Sequence, residues 1–72
     1  GLYPLRGKIS EVKEDHVVLN IGQRQGVRIG QQFQVKETDW ALEITDLESD
    51  QCTARMSSAD AAPQMGQKVE AL

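Results

Sequence analysis

The chain predicts an all-β domain, a small closed or nearly closed antiparallel barrel of five or six short strands. Three observations carry this expectation. Apolar residues recur with a period of two rather than 3.6. Turn-forming clusters of Gly, Asp, Asn and Ser separate these stretches at fairly regular intervals. The chain also has only 72 residues. That is one domain at most, and closure removes the exposed edges that a small open sheet would carry.

The first strand is Arg6–Val12, alternating loosely around Ile9, with Gly7 giving conformational freedom at its start. Lys13-Glu14-Asp15 forms a polar turn. In the second strand, His16–Ile21, Val17, Leu19 and Ile21 point one way while His16, Val18 and Asn20 point the other. The two strands read as a hairpin. Gly22, Gly26 and Gly30 then fall four residues apart, a spacing that allows positive φ at each. Between them, Val27 and Ile29 are expected to plug into the core. This connection has room for one helical turn at most.

Gln32–Glu37 is the third strand, with Phe33 and Val35 on one face, and Thr38-Asp39 turns the chain. Trp40–Leu47 is the fourth, with Trp40, Leu42 and Ile44 inward. Its alternation slips at Asp46-Leu47, which predicts a bulge or bend. After the turn Glu48-Ser49-Asp50, a fifth strand, Gln51–Met56, puts Cys52, Ala54 and Met56 on one face. Ser57–Ala62 has turn formers and alanines suited to one short helical turn. Gln67–Leu72 closes the set, with Val69 and Ala71 alternating. Residues 1–5 read as a linker from an upstream region and 6–72 as the single barrel domain. The start Gly1-Leu2-Tyr3-Pro4 reads as that of a fragment of a longer protein. One short echo joins two places, Ile29-Gly30-Gln31-Gln32-Phe33 and Met65-Gly66-Gln67-Lys68-Val69. Five positions are too few for a tandem repeat, so it reads as recurrent turn chemistry, with the apolar residue before each Gly anchoring the turn.

Composition narrows the function. Aromatic residues are 4% of the chain, so the core is small and aliphatic, with little for base stacking. One cysteine and one histidine exclude an internal disulfide and a four-ligand zinc site. The longest unbroken apolar run is Val17-Val18-Leu19, far short of the roughly 20 residues of a membrane helix. No signal peptide is visible. The net charge of −3 opposes a nucleic-acid module, which normally carries a basic face. The charge is uneven, however. Residues 1–36 hold six Lys/Arg and three Asp/Glu, a net of +3, whereas residues 37–72 hold two and eight, a net of −6. Such a split can orient a domain against a partner.

Few residues offer chemistry. His16 follows Glu14-Asp15, but no nucleophile or second base is recognisable beside it, so it reads as a surface histidine at a turn. Cys52 sits on the inward face and reads as a small buried hydrophobe. Glu37, Asp39, Glu43, Asp46, Glu48 and Asp50 lie along a hairpin without the glycine of a calcium loop, which favours a solvated face. The three glycines lack the Lys-Ser/Thr ending of a phosphate loop and serve as structure. Trp40 reads as a core lid and, if exposed, as the best contact residue. No catalytic residue, metal or cofactor is assigned.

The stretch Val17-Val18-Leu19-Asn20-Ile21-Gly22, followed by Gly26-Val27 and Gly30, resembles the small barrel modules of bacterial envelope assembly proteins. In particular it is similar to the C-terminal domain of the flagellar H-ring assembly protein. Gly7-Lys8-Ile9 through Val12, Leu42-Glu43-Ile44 and Gly66-Gln67-Lys68-Val69 fit the same pattern, although Gln31 and Gln67 stand where that family more often has Asp. The resemblance implies an SH3-like barrel at the C-terminus of a larger envelope protein, periplasmic or outer-membrane-associated. It implies a non-catalytic interaction or assembly module, docking on parent-chain domains or neighbouring subunits. Asn20, Gly22, Gly26, Val27, Gly30 and Gly66 would build the fold, with Asn20 bonding the turn backbone and Val27 filling the barrel mouth. Trp40, Arg24 and Arg28 are the candidate contacts. The alternative is a small nucleic-acid-binding barrel using Arg6, Lys8, Arg24 and Arg28.

Overall fold

A computed structural model describes residues 4–72, so the first three residues of the expected linker lie outside the described residues. Six strands follow in order: β1 (Arg6–Val12), β2 (Val17–Leu19), β3 (Gln32–Val35), β4 (Ala41–Leu47), β5 (Cys52–Met56) and β6 (Lys68–Ala71). They close into an antiparallel barrel in the order β1-β2-β5-β4-β3-β6. The consecutive strands β3, β4 and β5 form a meander, and β6 returns to lie beside β3, which is Greek-key connectivity. The barrel's contacts begin at Leu5, which packs against the core and whose carbonyl accepts the Ala71 N–H at 2.8 Å.

Alternation puts the expected residues inside. Ile9, Val17, Leu19, Ile21, Val27, Phe33, Val35, Leu42, Ile44, Cys52, Ala54 and Val69 form one buried cluster, and Leu5, Trp40, Leu47, Met56 and Ala71 pack against it. Val18 is also buried, but it stands outside that cluster, on the opposite face of β2 between Glu11 and Thr53.

Several local expectations change. Ile29 does not plug into the core. It is 59% exposed, and Met65 is 71% exposed, because each occupies a turn corner whose side chain points away from the barrel. The helical turn in the glycine-rich connection is a 3-10 turn, Gln23–Gln25, whereas Ser57–Ala62 forms turns without a helix. The tight turn after β3 centres on Glu37, held at φ 67, rather than on Thr38-Asp39. Thr38 supports it, its hydroxyl donating to the Val35 carbonyl and accepting from the Trp40 N–H. The bulge in β4 falls at Thr45, between Ile44 and Asp46, one residue before the expected slip.

Gly26 and Gly30 have φ 100 and 85, as the spacing allows, but Gly22 does not. Its backbone is extended at φ −149. Gly22 is needed for closeness: a Cβ there would collide with the Glu48 carbonyl oxygen and stand 2.5 Å from the Gln51 nitrogen. Gly7 is likewise a matter of space, since a Cβ would lie 2.9 Å from Ile21 Cγ1.

The short echo extends through the whole barrel. Arg28–Gln31 and Gln64–Gln67 are the same turn. Gly30 and Gly66 have φ 85 and 88, and Gln31 Oε1 accepts the Arg28 N–H as Gln67 Oε1 accepts that of Gln64. The Gly30 N–H donates to the Ile44 carbonyl, and the Gly66 N–H to that of Ile9. Ile44 N–H and Ile9 N–H return bonds to Gln31 and Gln67. Ile9 and Ile44 each precede a bulge, and the bulged residues Ser10 and Thr45 donate their hydroxyls to Val18 and Thr53. The ladder Arg6–Glu70, Gly7–Val69, Lys8–Lys68 repeats as Ala41–Gln34, Leu42–Phe33, Glu43–Gln32. The domain is therefore two βββ halves, β1-β2-β3 and β4-β5-β6, related by a pseudo-twofold axis. The axis passes between Val18 and Thr53 on one side and between Gln34 and Glu70 on the other. The third strand of each half pairs with the first strand of the other. The two halves share backbone bonds while most of their side chains differ, which is why only the glycine turns betray the repeat in sequence.

Candidate functional site

The pseudo-symmetry exposes where the two halves differ. On the outer face of β1 and β6, a groove of about 580 Å³ is lined by Arg6, Gly7, Lys8, Asn20, Ile21, Lys36, Lys68 and Val69. Alternation along β1 buries Ile9 and turns Arg6 and Lys8 outward. Antiparallel register brings Lys68 directly opposite Lys8 and Glu70 opposite Arg6. Lys36 enters from the end of β3, where its N–H donates to the Lys68 carbonyl at 2.8 Å. Gly7, opposite the buried Val69, leaves the space that Ile21 occupies. On the β3–β4 ladder the matching positions of Arg6, Gly7, Lys8 and Lys68 hold Ala41, Leu42, Glu43 and Gln32. Arg6, Lys8 and Lys68 thus belong to the β1–β6 ladder and have no basic counterpart on the β3–β4 ladder, so the fold does not require them.

One carboxylate enters this cluster. Glu70 accepts from Arg6 Nε at 2.7 Å and lies 3.5 Å from Lys36 Nζ. The Arg6 hydrogen bond, aided by the charge of Lys36, holds the Glu70 carboxyl below its usual value. Lys8 and Lys68 have no carboxylate within ion-pair distance among the described residues. A second depression of about 390 Å³, lined by Lys36, Glu37, Gly66, Gln67 and Lys68, adjoins the first through its two shared lysines.

Asn20 anchors the groove's rim. Its Oδ1 accepts the Lys8 N–H at 2.8 Å, and its own N–H donates to the Lys8 carbonyl. It therefore bonds β1 across the hairpin and not its own turn. Gly22, Gly26 and Val27 serve the neighbouring connection. Gln25 Oε1 accepts the Gly22 N–H, while the Gln23 and Arg24 N–H groups donate to the carbonyls of Glu48 and Ser49. Val27 is 2% exposed.

The other candidates scatter. Arg24 turns to Asp50 at 3.5 Å, joined there by Gln25 Nε2. Arg28 is exposed beside Ile29 on a different depression, lined with Gln23, Gly26, Val27 and Leu47. Trp40 is half-buried against the core. Of the four basic residues of the nucleic-acid alternative, only Arg6 and Lys8 come together. Lys36 and Lys68 complete the cluster. Neither was singled out from the sequence, because only the β1–β6 and β3–β6 pairings join them to β1.

His16 Nδ1 lies 2.7 Å from Asp15 Oδ1 on an exposed turn, and this bond lowers the Asp15 carboxyl. The buried Cys52 thiol is pushed up to about 11 by desolvation. Among the acidic residues, Asp46 accepts its neighbour Leu47's N–H, Glu48 accepts from Gln51, and Asp50 faces Arg24. Among the described residues, no group of three or more His, Cys, Asp or Glu is placed to hold a metal ion. No helix among them is long and apolar enough to cross a membrane.

These features define a pseudo-twofold six-stranded Greek-key barrel with one cation-lined groove. Compared with protein-family models and with curated proteins, the chain matches none.

Proposed function

We propose that this barrel is a non-catalytic protein-interaction and assembly module, and that the groove across β1 and β6 is its docking face. The observation that carries this reading is the gathering of Arg6, Lys8, Lys36 and Lys68 around one concave surface of a chain whose net charge is −3. A concentrated field of one sign on a domain of the other sign steers and orients a partner. The resemblance in the Asn20-Ile21-Gly22 and Gly26-Val27 region adds the setting: a C-terminal domain of a larger bacterial cell-envelope protein, of the flagellar assembly kind. In that setting the partner is another domain of the parent chain or a neighbouring subunit.

Amine-reactive cross-linking of the full-length protein in intact cells tests the reading. Lys8, Lys36 and Lys68 are expected to link to one recurring protein or parent domain, and the exposed Lys13, on the distant β1–β2 turn, is not. Links from Lys13 alone, or ultraviolet cross-links from the groove to nucleic acid, overturn it.

A further inference from the structure

We propose that the groove takes an extended acidic peptide segment with carboxylates at alternate positions. This rests on the groove being the docking face and adds the chemistry of what docks there.

The first support is a local conflict that the fold does not impose. Lys8 and Lys68 are opposite each other on the β1–β6 ladder. Lys8 turns its own N–H and carbonyl toward Asn20, so the two lysines form a non-hydrogen-bonded pair, the type in which side chains stand closest. Like charges directly opposite are destabilising. The matching pair on the β3–β4 ladder is Glu43 and Gln32, with the same register and no such conflict. The β1–β6 ladder that carries the conflict also borders the groove. Cations and cavity therefore occur together, which is the arrangement an anionic ligand needs.

The second support is spacing. Arg6 and Lys8 are alternate residues of one strand, separated by roughly 7 Å along it. An extended peptide repeats its same-side side chains at that interval. The continuous depression past Lys36 and Lys68 gives such a segment a path several residues long. A closed barrel offers no free strand edge here, since β1 and β6 are paired on both sides. Recognition is then through side-chain charge and not through strand addition. Glu70 already shows the chemistry: a carboxylate bridging Arg6 and Lys36 at the groove's edge. Glu70 takes Arg6 through Nε, which leaves the terminal guanidinium nitrogens of Arg6, with Lys8 and Lys68, for the incoming carboxylates. Among the described residues, no aromatic side chain on which a base would stack lines the groove.

The test is a nuclear magnetic resonance titration of the labelled chain. The probes are a capped Glu-Ala-Glu-Ala-Glu peptide, its Lys-Ala counterpart, inorganic phosphate and a ten-residue oligothymidylate. The glutamate peptide is expected to shift the amides of Gly7, Lys8, Lys36, Lys68 and Val69, with an affinity that falls as salt rises. The double variant Lys8→Glu/Lys68→Gln copies the Glu43–Gln32 pair that the same fold already accommodates. It is expected to melt no lower than the parent and to lose about tenfold in affinity, the scale of two surface ion pairs. Undiminished binding to this folded variant overturns the proposal. So does a phosphate or oligothymidylate response at the same amides that equals the peptide's at matched charge. If the peptide fails while cellular cross-links from Lys8 and Lys68 persist, the acidic-segment assignment falls and the docking face stands. If both fail, the docking face falls as well.

Discussion

Gly22 lies directly beneath the backbone of Gln51: a Cβ on Gly22 would come 2.5 Å from the Gln51 nitrogen and 2.7 Å from its carbonyl oxygen. Two backbones thus meet where the glycine-rich connection docks on the β4–β5 turn. The 3-10 turn hangs from that contact through the Gln23 and Arg24 N–H groups. Gly22→Ala is therefore expected to cost more than about 3 kcal/mol, because backbone has to move. Gly30→Ala meets no atom within 4 Å and pays only for its φ of 85, about 1 kcal/mol. Urea unfolding of both variants checks the order, and equal midpoints would refute the account.

Val27 is 2% exposed within the core cluster. Val27→Asp places a carboxylate there with no partner, and the domain is expected to be unfolded at room temperature. Ile29→Asp, two residues on but at an exposed corner, is expected to stay within about 0.5 kcal/mol of the parent. Circular dichroism melts distinguish the two.

Glu70 gives a pH dependence whose sign follows from its partners. Its carboxyl is held below the ordinary value of 4.5 by Arg6 and Lys36. The folded state then binds the proton less readily than the unfolded one, so the contribution is fully present above pH 4.5 and is lost as pH falls through the lowered value. Glu70→Gln is expected to flatten the decline of the urea midpoint over that acidic window. A parallel decline in both proteins would show the pair to be energetically silent.

Cys52 is 2% exposed and its thiol is pushed up to about 11 by burial. At neutral pH almost no thiolate exists to react. Labelling by iodoacetamide is expected to follow global opening and to become rapid only in denaturant. Fast labelling of the native chain would contradict the packing.

Lys68→Gln removes the like-charge pair with Lys8 and installs the residue found at Gln32. It is expected to raise stability by up to about 1 kcal/mol at low ionic strength, with the gain shrinking in salt. A melting temperature that falls would show that Lys68 has a stabilising partner.

Legibility in the sequence tracked the range of the interaction. Strands β1 to β6 and nearly all of the core were readable, because alternation is a property of neighbours. The bulge at Thr45 was readable to within one residue for the same reason. Ile29 and Met65 misled because an apolar residue at a turn corner has the same local pattern as one that points inward; only the turn's orientation separates them. The groove was half legible. Arg6 and Lys8 stood out as basic residues on one strand, but Lys68 lies 60 positions further on.

The sequence by itself determined that this chain forms short strands joined by glycine turns around an aliphatic core, since period-two burial and positive φ are local demands. Tertiary structure alone decided the exchange of third strands between the two halves, the backbone contact that makes Gly22 indispensable, and the meeting of four cations on one face. These depend on which strands pair and in what register. That choice is set by closing the barrel as a whole, where one residue of slip would turn every buried side chain to solvent.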